Sequence, residues 1–148
     1  MRRGRLHAYE VLLRVARVRE IGASVALAEA STERQAHRTH CEEITAARDD
    51  VTVASRVSST DASSLDMARY EMLSHLDAAL ARELQVASHE LTFAERTCRE
   101  RAMTAVVAKR YREQMDERVR ETADAIEHER ATGRQEEAIE LWLKGEMS

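Results

Sequence analysis

Along most of the chain, apolar residues recur at alternating steps of three and four, which places them on one stripe of an α-helix. In the first third the series is Val11, Val15, Val18, Gly22 and Val25. After a weaker stretch around Glu29 and Thr32 it resumes at Cys41, Ile44 and Val51. In the second half it runs Leu73, Leu76, Leu80, Leu84, Ala87, Leu91, Ala94 and Cys98. It continues through Ala105, Ala108, Met115, Val119 and Ile126, with Arg101 and Arg112 interrupting. A mean step of about 3.5 is the signature of a coiled coil. Between the two series lies a polar, weakly helical cluster of Ser55, Ser58, Ser59, Thr60, Asp61, Ser63 and Ser64. Ser63 or Ser64 can accept a hydrogen bond from the free amides of a helix starting there, and Asp66 suits that helix's positive end. The pattern predicts a first helix over about 5–56, a turn near 58–63, a second helix over about 64–131 and a tail over 132–148.

Two seamed helices joined by one turn imply an all-α fold, a long antiparallel two-helix coiled-coil hairpin with an overhanging C-terminal helix. Folding about residue 60–61 pairs positions whose numbers sum to roughly 121. Ile44 then faces Leu76, Cys41 faces Leu80, Val18 faces Met103, Val15 faces Val106, and Leu6 falls near Met115. Arms of about 75–80 Å follow from the helical rise. The second arm outruns the first from roughly residue 118 in this register. Isolated helix is marginal in water, so the overhang calls for a partner elsewhere.

Composition narrows the picture. There is no proline, there are four glycines, and 3% of residues are aromatic, which argues against turn-rich sandwiches and barrels. The hydrophobic fraction is 43%, but 24 of those residues are alanine and two are cysteine, leaving 38 large apolar side chains. That suffices for a thin seam and not for a thick core. The net charge of −4 argues against a general nucleic-acid binder. Its distribution is uneven: residues 1–19 carry six arginines against Glu10, and residues 61–148 hold 13 basic and 19 acidic groups. No apolar run approaches the roughly 18 residues of a membrane span. Arg14, Arg17 and Arg19 interrupt any secretory h-region, and Cys41 and Cys98 make no disulfide framework, so a reducing cytoplasm is expected.

Candidate chemistry is sparse. In a hairpin, Cys41 and Cys98 lie on the order of 27 Å apart, beyond disulfide reach, and read as small seam residues. His37 and Cys41 share a helical face beside His40, Glu42 and Glu43. The facing arm near 80–84 offers Leu80, Arg82, Glu83 and Leu84, however, so no metal site is expected. His75, His89 and His128 stand singly, and no nucleophile elbow, phosphate loop or dinucleotide fingerprint occurs. A two-helix rod also lacks a concave pocket, so neither enzymatic activity nor a cofactor is expected. Two segments stand out as interaction surfaces. Arg2, Arg3, Arg5, Arg14, Arg17 and Arg19 form a basic end suited to an acidic surface, with Tyr9 the one nearby ring that could stack on a base. In the tail, Ile139, Trp142 and Leu143 share a helical face beside Glu136, Glu137 and Glu140. Trp142 is the only tryptophan, a frequent interface anchor; folding back and self-dimerisation are the other ways to cover it.

With these features in place, the chain resembles the FliJ/YscO family, small stalk proteins of flagellar and virulence type III secretion systems. The resemblance covers nearly the whole chain. It rests on size, on the opening Tyr9-Glu10-Val11-Leu12-Leu13-Arg14-Val15-Ala16-Arg17, and on the segment Asp66-Met67-Ala68-Arg69-Tyr70-Glu71-Met72-Leu73-Ser74-His75-Leu76-Asp77-Ala78-Ala79-Leu80. That segment is similar to the family's post-turn stretch, where an aromatic residue precedes apolar residues and a Leu-x-x-Ala-Ile/Leu ending. The resemblance implies a central-stalk component of an export apparatus, cytoplasmic and associated with the inner membrane through its partners. Its paired termini would insert into a hexameric export ATPase, its turn-bearing end would reach an export gate protein, and it could escort secretion chaperones. It further implies ATPase contacts by Arg14, Arg17, Ile139, Trp142 and Leu143, and gate contacts by Met72, Leu76 and Ala79. On the first arm, Arg38, Glu42 and Asp49 stand where the family has long apolar or aromatic contacts. That departure bears on the gate contact, or shifts the comparison toward a virulence-type relative. An alternative from another class is a coiled-coil scaffold or chaperone that self-associates through its C-terminal tail.

Overall fold

The computed structural model describes residues 2–60 and 67–146. Helix α1 spans Arg2–Thr60 and helix α2 spans Met67–Glu146, and the two pack against each other as a helical hairpin. Both are longer than the apolar pattern predicts. Ser58, Ser59 and Thr60 extend α1, and the rest of the expected turn, with Ser63, Ser64 and Asp66, lies outside the described residues. The expected tail is no separate element, because α2 runs through Gly133 to Glu146. One glycine inside a helix costs about 1 kcal/mol against alanine, which flanking Ala, Glu and Arg residues offset. Threonines in mid-helix bond back to the carbonyl four residues earlier, Thr45 to Cys41 at 2.9 Å and Thr132 to His128 at 3.0 Å. Their hydroxyls are thereby satisfied without breaking the helix.

Contacts group the chain into two units, one of Met1–Ser24 with Thr104–Ser148 and one of Val25–Met103. In the first unit, Leu13, Ala16 and Met115 form the buried cluster, with Tyr9, Tyr111 and Val119 packed against it. Ala16 is fully buried. In the second unit, Ala30, Ile44 and Val51 of α1 are buried, as are Leu73, Ala87, Ala94 and Cys98 of α2. Ala16, Ala30, Ala87 and Ala94 show how often alanine takes a seam position, where a small side chain lets helix axes approach closely. Among the described residues no large side chain is fully buried.

The α2 seam follows the predicted series closely. Leu76 departs from it: the residue is exposed, and the half-buried seam position one step on is Asp77, ion-paired with Arg48 at 3.2 Å. In α1 the first half of the prediction is reversed. The positions turned inward are Leu6, Tyr9, Leu13, Ala16, Glu20 and Ala23, whereas Val11, Val15, Val18, Gly22 and Val25 are exposed. The predicted pairings fail with that phase. Val18 and Met103 are 69% and 71% exposed, Val15 and Val106 are both open to solvent, and Ile44 is buried while Leu76 is not. Met115 packs on Leu13 and Ala16 rather than near Leu6.

Contacts between polar side chains across the seam fix the true register. Arg48 meets Asp77 and His37 meets Glu90 in the second unit, and Glu20 meets Arg112 and Arg2 meets Glu129 in the first. Each α1 residue therefore faces a position roughly four to eleven residues later in α2 than the sum of 121 implies. The physical reason is that small and charge-paired residues are favoured inside over a stripe of valines. Glu20 and Arg112 neutralise each other at one level of the seam, which the valine phase would have left unpaired.

Candidate interaction surface on the first unit

The basic start of α1 and the far end of α2 belong to the same unit, and their charges are arranged in a definite way. Arg2 lies beside Glu129, with the guanidinium 2.6 Å from the carboxylate. The Arg118 guanidinium sits over the Tyr9 ring, 5.8 Å from its centroid. A groove of about 490 Å³ is lined by Arg2, Arg3, Ile126, Glu129 and Arg130. Positive side chains in the first turn of a helix oppose its dipole, so this end is an unfavourable place for Arg2, Arg3 and Arg5 unless anions come near. The first turn of α1 contains no acidic residue.

Deeper in the unit, Arg112 Nε donates to Glu20 Oε2 at 2.7 Å and its Nη2 donates to Glu20 Oε1 at 3.3 Å. This bidentate pair is half-buried. The guanidinium hydrogen bonds hold the Glu20 carboxyl below the ordinary carboxylate value, against a smaller opposing effect of desolvation. The same bonds raise the Arg112 guanidinium. Arg112 thus belongs to the seam rather than breaking it. Sequence reasoning misses Glu20 as its partner, although opposite charges in facing seam positions are a usable register signal.

Of the residues that the family resemblance implicates, Arg14 and Arg17 are exposed on α1, and Ile139, Trp142 and Leu143 are exposed on α2. All five belong to the first unit. Among the described residues none of α1 faces α2 beyond Arg130, so the bare stretch starts later than residue 118 and runs from residue 131 to Glu146, about 24 Å. Within it Trp142 is 63% exposed and Leu141 is exposed as well. Among the described residues, neither Glu136, Glu137 and Glu140 nor Arg3, Arg5, Arg14, Arg17 and Arg19 have an ion-pair partner. The valines of the expected seam belong instead to a second apolar stripe: Val11, Leu12, Val15, Val18 and Ile21, all exposed.

Met72, Leu76 and Ala79 lie in the second unit, exposed and sharing one face of α2 at steps of four and three. Val86 and Phe93 continue that face and are also exposed. His37 Nδ1 is 3.8 Å from Glu90. Among the described residues no group of three or more His, Cys, Asp or Glu side chains gathers as for a metal ion, and no helix is long and apolar enough to cross a membrane. Cys41 is half-buried and Cys98 buried, and both are free thiols. Set beside known proteins, the chain is matched by no family model, no curated protein and no solved structure.

Proposed function

We propose that this chain is a non-enzymatic helical stalk of a type III export apparatus, which acts by seating its first unit in a hexameric export ATPase. The observation that carries the reading is the pairing of Arg2 with Glu129, which sets the basic start of α1 beside a bare helical extension bearing Ile139, Trp142 and Leu143. A ring needs such an object: two helices to fill its opening and one unpaired helix whose faces differ in charge and apolarity. Asymmetric contacts through Arg14 and Arg17 on one side and Trp142 on the other would favour one subunit state over its neighbours. Binding energy can bias a conformational equilibrium only through such differential contact.

The second unit supplies the other contact in this reading. Met72, Leu76 and Ala79 form an exposed small-apolar face that would meet the gate protein at the membrane, and the chain would stay cytoplasmic, held there through its partners. Secretion chaperones are a further class of helical partner for such faces. The test is direct. Adding the purified chain to its cognate export ATPase raises the hydrolysis rate, and removing residues 134–148 abolishes the rise. An ATPase whose rate ignores the full-length chain refutes the reading.

A further inference from the structure

The first unit carries two unsatisfied surfaces of opposite character. One is the outward stripe of α1, Val11, Leu12, Val15, Val18 and Ile21, flanked by the unpaired Arg14, Arg17 and Arg19. The other is the bare end of α2, where Ile139, Trp142 and Leu143 lie beside the unpaired Glu136, Glu137 and Glu140. Each is an amphipathic helical face, one edged by cations and the other by anions. Neither can cover the other within one molecule: α2 is unbroken to Glu146, and it leads away from α1 once past Glu129.

We propose that a second copy of the chain covers both, through a two-fold dimer in which each bare α2 end lies on the outward α1 stripe of its partner. Length and charge both favour this occupant. If the two Arg2/Glu129 ends abut, Ile139 lies about 15 Å beyond Glu129, and Leu12 of the facing copy lies about 15 Å from its own Arg2. The same count brings Trp142 level with Val15. On the same count Glu140 comes level with Leu13, within about one helical turn of the free guanidinium groups of Arg14 and Arg17, and both sites are filled at once because a two-fold contact is isologous and closes on itself. The contact would also give the bare helix the packing that an isolated helix lacks in water. This goes beyond the stalk reading and does not require an ATPase. A dimer formed this way would hide the surfaces the stalk needs, so the two states would compete.

The test uses the full chain in sedimentation velocity over a range of concentrations, with circular dichroism to monitor folding. The wild type sediments as a species of twice 16.8 kDa. Val15→Asp together with Val18→Asp weakens the dissociation constant about tenfold or more, as loss of an interface anchor does, and leaves the paired part of the hairpin folded because both side chains point to solvent. Arg14→Glu with Arg17→Glu also weakens it. Mixing that variant with a Glu136→Lys, Glu137→Lys, Glu140→Lys chain restores a mixed dimer that neither forms alone. A wild type that stays monomeric overturns the proposal. So does a dimer that survives the valine changes and is lost with Trp142→Ala, which would place tail against tail. Absence of ATPase stimulation in the separate assay leaves this result unaffected.

Discussion

The two faces of α1 between Tyr9 and Ile21 both carry apolar side chains, the outward one more of them, yet they do different things. The inward face holds Leu13 at 6% exposure and Ala16 with none, packed on Met115. The outward face holds Val11, Val15 and Val18, each β-branched and each in water. Hydrophobicity alone would have chosen the valines. What selects the inward face is fit: alanine permits close approach, and Glu20 continues the face one step on to meet Arg112. Apolar area is therefore a poor guide to which face is core when a helix has two candidates, and complementarity across the seam decides.

The sharpest way to break this comparison is to truncate one residue from each face. Leu13→Ala removes buried methyl groups from the Met115 cluster and lowers stability by about 2–3 kcal/mol in urea denaturation. Val15→Ala changes it by less than about 0.5 kcal/mol at concentrations where the chain is monomeric. Equal losses would mean that the inward phase is wrong. A smaller effect comes from Arg34, whose Nε is, among the described residues, the buried side-chain polar atom without a hydrogen-bond partner. Arg34→Leu fills an inward α1 position with apolar atoms and raises stability by about 1 kcal/mol, read as a higher midpoint in thermal melts.

The smallest effect is a change of slope with pH. The native Glu20 carboxyl binds its proton more weakly than in the unfolded chain, because the Arg112 guanidinium is hydrogen-bonded to it. Its stabilising contribution is complete at neutral pH and fades as pH falls through the ordinary carboxylate range toward the lower native value. Glu20→Gln removes that part of the acid sensitivity, so the variant's stability falls less steeply than wild type below about pH 5. An unchanged slope would mean that the pair contributes nothing in solution.

Much of the fold is legible in the order of side chains alone. The second arm reads correctly through Leu80, Leu84, Ala87, Leu91 and Ala94 because the rival face through Leu76, Val86 and Phe93 is interrupted by Glu83 and Glu90, and the serine-rich cluster marks the end of α1 to within a few residues. The first arm misleads because it contains two heptad series in different phases. The true one runs through Ala16, Glu20, Ala23, Ala30 and Arg34, residues that hydropathy ranks low. The register inherits that error, since apolar matching passes over the pairs that set it, Glu20 with Arg112 and Arg48 with Asp77. The exposure of the candidate surface is half legible. Trp142, Ile139 and Leu143 are recognisable as uncovered from their place beyond the paired arms, and Arg14 and Arg17 as free cations. That the neighbouring valines are uncovered as well depends on the phase of α1, which side-chain apolarity does not decide.

The alanine-rich seam has a calorimetric consequence. The folded chain leaves 11417 Å² in contact with water, against about 7,700 Å² expected for a globular protein of the same mass. Melting therefore uncovers comparatively little new apolar area, and the heat-capacity increment should fall below the usual value of roughly 12–15 cal/mol/K per residue. A shallow dome of free energy against temperature follows, with cold inactivation pushed far out of range and a melting transition that is broad for a chain of this length.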